Sequence, residues 1–348
     1  EFYQFYAFFN NVPERGLDGQ TGNAAPVLPL PTPAQQRRLD ELDAAIEATQ
    51  QALSDAVVAP LQREWERTVP AKGAPGETDG LTAYYELDGN FSDLSGRYQH
   101  GRTTSGDPTF GPGKIGRAVS FDGETEVSFG SVGAFDRPDP FSLAVWLRGS
   151  GSQPMAMLQK LDEQRRGYEW VLDDVALVGI QRWAARLTMT LRSDAPGGAI
   201  RIRTRERIGL GDWHHVALTW DGSGRASGLA LYVDGKASAT EVLTDTLAGS
   251  FATDAPLRIG SKSIGKPFVG QIDDLRLYSR ALTAGQVEQL AIHYAPRVIV
   301  SGVLGKRSNA DAAVVREYFL TYVAPDSLRA LHSELAALRT EKQALEKL

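Results

Sequence analysis

The chain has 348 residues, a formal net charge of −6, 42% hydrophobic and 23% charged residues. The length suggests two or three folded units, and the acidic balance argues against a nucleic-acid partner, which selects for a basic face. No cysteine is present, so disulfides, thiolate zinc sites, cysteine nucleophiles and covalent haem attachment are excluded.

The chain opens on "EFYQFYAFFNNVPERGLDG", an aromatic stretch without the basic, apolar and small-residue zones of a signal peptide. It closes on "LRTEKQALEKL", inside a helical pattern, so the sequence reads as a piece of something larger. No run of about 18 apolar residues occurs, and no membrane-spanning helix is expected. After a Pro-rich extended stretch, Thr32, Pro33 and Gln35 form a capping box with proline in the first turn. The helix that follows is expected to run to about Ala59, with Leu39, Leu42, Ile46 and Leu53 on one seam and Pro60 ending or kinking it. Near the other end, Leu328, Leu331, Leu335, Leu338 and Leu345 fall on a heptad seam broken by Lys342. Two such helices suggest an antiparallel coiled-coil hairpin with the rest inserted at its tip; alternatively each packs on a separate body.

The expected divisions are 1–33, the tail of an upstream domain; 34–69, the first hairpin helix; 70–80, a linker rich in Gly and Pro; 81–292, a β domain; 293–325, a helical connector; and 326–348, the second hairpin helix. Between Leu81 and Tyr278 the apolar period is two. "HHVALTW" (214–220) and "GLALYVDG" (228–235) alternate, and strands are also expected at 117–121, 125–129, 141–148, 154–160, 168–172, 186–191, 199–204, 256–260 and 267–278. Many short strands separated by Gly, Asp and Pro turns predict a mainly β fold, an antiparallel β-sandwich. A second capping box, Thr283 with Gln286, starts a short helix after the last strand, and another helix is expected over 309–325.

The motifs "AYYELDGNFSDLSGRYQHG", "GRAVSFDGETEVSFG", "FSLAVWLR", "GDWHHVALTWDGSG", "LALYVDGK", "PLRIGS" and "FVGQIDDLRLYSRALTAGQVEQL" occur in that order. Their succession over residues 81–292 resembles a bacterial laminin-G-like, concanavalin A-like domain. The resemblance implies a two-sheet jelly roll used as a lectin-like or adhesive module. The flanks, "YAFFNNVPERGLDGQTGNAAP" and "LRALHSELAALRTEKQALEKL", are similar to the middle of large planctomycete-type exported proteins. There two uncharacterised domains flank such an insert, often with a cytochrome-c-like domain elsewhere. That resemblance implies an exported location, periplasmic or at the cell surface; no Cys-x-x-Cys-His occurs here, so no haem activity carries over.

In "GQIDDLRLY", strict alternation would set Asp273 on the same face as Leu275 and Leu277, where a carboxylate needs a partner. Three readings stay open: calcium, a group of amide or arginine donors, or solvent at the strand end. Pairing of the first and last strands would bring Asp88 near Asp273, and Asp122 of "FDGE" is a third candidate ligand for a structural calcium ion. Against this, Asp122, Asp221 and Asp234 fit ordinary Asp-Gly turns. Trp146, Trp213 and Trp220 alternate with core positions and read as packing. Trp170, Trp183 and Tyr168 lie in a less regular segment, where they either form a ligand-binding face or are buried in the ordinary way. Arg201, Arg203 and Arg205 share a strand face, which suits solvent or an acidic glycan or partner. A glycosidase of this fold needs a facing carboxylate pair, and "GETEV" is a poor match to the usual acidic strand. The expected role is therefore non-catalytic recognition of a glycan or protein surface, beside neighbouring domains of the parent chain. An architectural spacer is the alternative, and a hydrolase the more distant one.

Overall fold

A computed structural model describes residues 31–69, 78–179, 182–260, 267–302 and 307–346. Most of the expected upstream tail and of the linker falls outside them. The chain divides into two compact units, one made of residues up to Trp65 and from Phe319 onward, the other Glu66–Tyr318.

The first unit is helical. Helix α1 (Pro33–Ala52) starts at the capping box read from the sequence, with the Thr32 hydroxyl accepting from the Gln35 amide. It ends at Ala52, short of the expected Ala59, and α2 (Asp55–Glu66) begins after Ser54 and carries Pro60 within it. The break lets Leu53 and Val58 enter one apolar cluster, which includes Phe319, Leu320, Leu328 and Leu335. Trp65 packs on Phe319 with ring centroids 5.8 Å apart. The last helix of this unit, Asp326–Leu345, packs on α1: Arg38 bonds Glu341 at 2.8 Å and Lys342 pairs with Asp43. The start of α1 thus lies beside the end of the later helix, as an antiparallel pair requires.

The second unit is a β-sandwich. Its strands are β1 (Leu81–Tyr85), β2 (Arg102–Ser105), β3 (Thr109–Pro112), β4 (Arg117–Asp122), β5 (Glu126–Ser128) and β6 (Phe141–Gly149). Then come β7 (Met155–Leu161), β8 (Gly167–Val178), β9 (Arg182–Arg192), β10 (Ala199–Thr204), β11 (Ile208–Gly209) and β12 (His214–Trp220). The series ends with β13 (Leu229–Val233), β14 (Lys236–Ala237), β15 (Thr240–Asp245), β16 (Arg258–Ile259) and β17 (Val269–Tyr278). Among the described residues the first sheet runs β14-β13-β12-β6-β17-β4-β3, with β1 on β17, and the second runs β15-β10-β9-β8-β7-β16-β5-β2, with β11 on β9. Every pairing is antiparallel.

Alternate residues of both sheets meet in one core, among them Leu143, Leu147, Trp170, Leu172, Met189, Ile202, Leu218 and Leu277. The first sheet's outer face is covered by α3 (Ala284–Glu288), a π-helical turn (Gln289–Tyr294) and α4 (Ala295–Ser301). Leu282, Val287 and Leu290 pack on Ala144, Ala217 and Tyr232, and Ala295 and Val298 on Trp146 and Ile115. Helix α5 (Asn309–Tyr318) closes this unit and α6 (Asp326–Leu345) the other. The expected connector over 293–325 is therefore shared between the two units.

Candidate binding site

The first and last strands do pair, Tyr85 opposite Leu275, and this sets the surroundings of Asp273. A bulge interrupts β17: Asp273 lies opposite Trp146, Arg276 opposite Ala144, and Asp274 adopts a φ of 50°. The extra residue shifts the alternation. Asp273 therefore lies on the outer side with Trp146, while Leu275 and Leu277 enter the core, so strict alternation placed it wrongly.

At 0% exposure, Asp273 is fully buried. Its Oδ2 accepts from the amides of Lys114 and Ile115 at 2.8 and 2.9 Å, in the turn between β3 and β4, and Oδ1 has no partner. Gly113 permits the approach, because a Cβ there would lie 2.7 Å from Oδ2. Burial pushes the Asp273 carboxyl well above the usual range, the charges of Asp274 and Asp88 add to this, and the two amides oppose it. Asp88 accepts from the Arg117 amide of the same turn, and burial raises its pKa too. Asp122 stays in its own turn, taking the Glu124 and Thr125 amides at 2.9 Å.

This arrangement does not suit calcium, which takes six to eight oxygen ligands. The groups aimed at Asp273 and Asp88 are N–H donors, and among the described residues no three His, Cys, Asp or Glu side chains are grouped to hold a metal ion. Asp273 ties the β3–β4 turn to the bulge. Beside it, the buried Arg276 bonds Asp274 at 2.6 Å and lies between the Tyr84 and Tyr294 rings, 4.1 and 4.0 Å from their centroids. These contacts fasten the helical cover to the first sheet.

The aromatic trio does not form one face. Trp170 is 0% exposed in the core, and Tyr168 is buried beside it, its hydroxyl donating to the Gly133 carbonyl at 2.8 Å. The segment expected to be irregular is a long hairpin, β8 to β9, and its alternation turns both rings inward. Trp183, 37% exposed, stands opposite Leu177 near the far end of that hairpin. Trp146 and Trp220 are buried, and Trp213 packs partly buried against the Trp146 cluster.

Of the outer face of the second sheet, the sequence singled out only the strand with Arg201, Arg203 and Arg205. Ladder pairing lines up Arg258, Gln159, Glu169, Thr190, Arg201 and Thr244 across six strands. A second row sets Val171, Thr188, Arg203 and Glu241 side by side, and a third sets Asp173 beside Arg186. Core residues alternate with these along β7 to β10, so the rows point away from the core. Fixed bonds hold the charges: Arg201 to Asp173 at 2.9 Å, Thr188 to Asp173 at 2.7 Å, and Arg203 and Arg186 to Glu241 at 2.6 and 3.0 Å. The bond to Arg203 holds the Glu241 carboxyl below its usual value. Arg201 and Arg203 are thus paired by their own neighbours, while Arg205 donates to the Thr240 carbonyl at 3.2 Å.

Gln159 is different. Its Nε2 donates to Glu169 at 3.3 Å, but its buried Oε1 has no partner. Next to it, a cleft of about 760 Å³ opens between residues 161–166 and 253–256, with Arg165, Arg166, Asp254 and Arg258 on its walls. Lys160, lowered to about 8 by burial, donates to the Ala255 carbonyl at 2.6 Å and fixes one wall. The alternation in "LTMT" and "IRIR" carries the polar half of this face, but its alignment between strands depends on a register set far along the chain.

Residues 121–288 match the concanavalin A-like lectin/glucanases superfamily, as a laminin-G domain. The matched span of the lectin-like domain is slightly under half of the chain; it runs from the end of β4 through α3 and leaves β1 to β3, most of β4 and the other helices outside. No curated protein matches. Among solved structures, domain 4 of the GH43 extracellular arabinanase AbnA of Geobacillus stearothermophilus, in complex with arabinotriose, aligns at 24% identity and TM-score 0.46, over 61% of this chain and 98% of that one. The binding domain of Paraclostridial Mosquitocidal Protein 1 aligns at 17% identity and TM-score 0.49, over 62% of this chain and 53% of that one. The binding domain of botulinum neurotoxin DC, in complex with rat synaptotagmin II, aligns at 15% and 0.45, over 61% and 51%. The chain thus spans about half the length of these toxin domains, and such likenesses carry nothing about a ligand.

Proposed function

We propose that the lectin-like domain is a non-catalytic recognition module that binds a polar polymer, a glycan chain or a protein surface, across the outer face of its second sheet, within a larger exported protein. The observation that supports this best is the row Gln159, Glu169, Thr190 and Arg201, one residue from each of four neighbouring strands, with the Gln159 carbonyl oxygen buried and unpaired. A buried acceptor without a donor is costly, and a hydroxyl or amide of a ligand supplies that donor. The adjoining cleft falls in the size range of small-ligand sites. Charges already paired within the face favour hydrogen-bonded recognition over capture of a strongly ionic partner.

A glycan-array screen of the whole chain, with and without chelator, tests this reading. Binding is expected in both conditions, and Glu169→Ala, which frees the Gln159 amide and empties the row's centre, is expected to weaken it about tenfold, in line with a lost hydrogen bond to a charged group. Equal binding by the variant would contradict the proposal. A second reading, an architectural spacer, is favoured by the first sheet, whose outer face is sealed by α3 to α4. Silence on the array would favour it.

A further inference from the structure

The β8–β9 hairpin runs past the strands on either side of it. Alongside β8, β7 stops where Met155 lies opposite Leu172; alongside β9, β10 stops where Arg203 lies opposite Thr188. The two strands then continue as a ribbon, with Ala176 opposite Ala184, Leu177 opposite Trp183 and Val178 opposite Arg182. Among the described residues, the short β11 is the one strand beside this stretch, at Ala184 and Ala185. The end of the ribbon is apolar on both sides. Side chains alternate, so Leu177 and Trp183 continue the side on which Val175 and Ala185 meet the core, and Val178 takes the other. Here the sandwich no longer covers them: Leu177 is 53% exposed, Val178 43% and Trp183 37%. Single exposed apolar residues are ordinary, but a group of them on a projecting element marks an interaction surface.

What covers the tip must close around it. A flat protein face, or a second copy laid against the ribbon, would bury one side and leave the other in water. A lipid surface buries both. The indole of Trp183 suits the boundary of such a surface, where its ring is among apolar groups and its N–H reaches water. The charges at this end are already paired, Arg182 with Asp212, and Arg186 and Arg207 with Asp174. They leave no cationic excess to draw an anionic surface. We propose that the β8–β9 tip inserts into a zwitterionic lipid surface, with Leu177, Val178 and Trp183 at the headgroup–acyl boundary and the Arg182–Asp212 pair level with the headgroups. Insertion to this depth anchors the domain on a bilayer without crossing it. The inserted residues belong to none of the polar rows, so this site and the second-sheet reading fail separately.

The test is co-sedimentation of the whole chain with phosphatidylcholine vesicles, with and without brominated acyl chains, at low and high salt. Binding is expected at both salt concentrations, because screening weakens only charge-driven adsorption. Brominated chains are expected to quench part of the tryptophan fluorescence, the part that Trp183→Phe removes. Leu177→Ser and Val178→Asp, one on each side of the ribbon, are each expected to weaken binding about tenfold, as loss of a buried aliphatic side chain implies. Both side chains are exposed in the free protein, so the melting temperature is expected to stay within about 2 °C. Glu169→Ala is expected to bind vesicles as the unaltered chain does. Failure to sediment with vesicles, binding confined to low salt, no quenching, or a loss in one of the two tip variants alone would overturn the insertion. Sedimentation equilibrium without lipid completes the test: a dimer that Leu177→Ser dissociates would overturn it in favour of a second copy.

Discussion

His215 shows what single positions contribute to the β-sandwich. It is buried, its ring stands 5.2 Å from that of Trp146 in a T-shaped contact, and its Nδ1 has no partner. Burial lowers its pKa to about 3. The folded protein therefore holds this proton less tightly than the unfolded chain, whose histidine titrates near 6.5. Stability tied to His215 is complete above about 6.5 and is lost as the pH falls towards 3, on the order of 5 kcal/mol over the window. His215→Leu is expected to flatten the fall in sandwich melting temperature between about pH 6 and about pH 4; equal slopes in the two proteins would contradict this. The neighbouring Asp273 shows where reading by residue type reached its limit. That the carboxylate needed a partner was legible, because a buried acid is costly; its partner, two amides of a distant turn, depended on a one-residue bulge that alternation does not announce. Of the two readings open for Tyr168 and Trp170, ordinary burial holds and a binding face does not: both lie in the expected strand over 168–172, whose pairing in the β8–β9 hairpin turns them inward.

At the scale of elements, helices were legible where capping chemistry is local. Both Thr-x-x-Gln boxes form, at Thr32 and at Thr283. The end of α1 was not, because it depends on Leu53 and Val58 sharing a cluster with residues from the other end of the chain. Strands with strong alternation, β6, β12 and β13, lie where the period of two placed them, whereas the short β2, β3 and β15 carry exposed or half-buried patterns with no apolar period to read. The helix pair makes its own prediction. Leu335→Ala, which removes a buried side chain from the α1–α6 cluster, is expected to destabilise the helical unit by about 2–4 kcal/mol. Urea unfolding followed by helical circular dichroism reads the change; a loss below about 0.5 kcal/mol, the range of surface substitutions, would contradict the packing.

At the scale of the whole molecule, the two sheets of the sandwich have divided roles. The first is fastened beneath helices by Arg276, Tyr294 and the apolar clusters around Ala144 and Trp146. The second carries, on its outer face, ordered rows of polar side chains, most of whose charges are already paired. No described helix is long and apolar enough to cross a membrane. The family match establishes a lectin-like fold over residues 121–288, and fold alone leaves the job to be argued from the site. The most direct measurement is a crystal structure of the chain with the strongest glycan from the array. The account predicts ligand density along the second sheet with a hydroxyl within hydrogen-bond distance of Gln159 Oε1; density found only elsewhere on the molecule would contradict it.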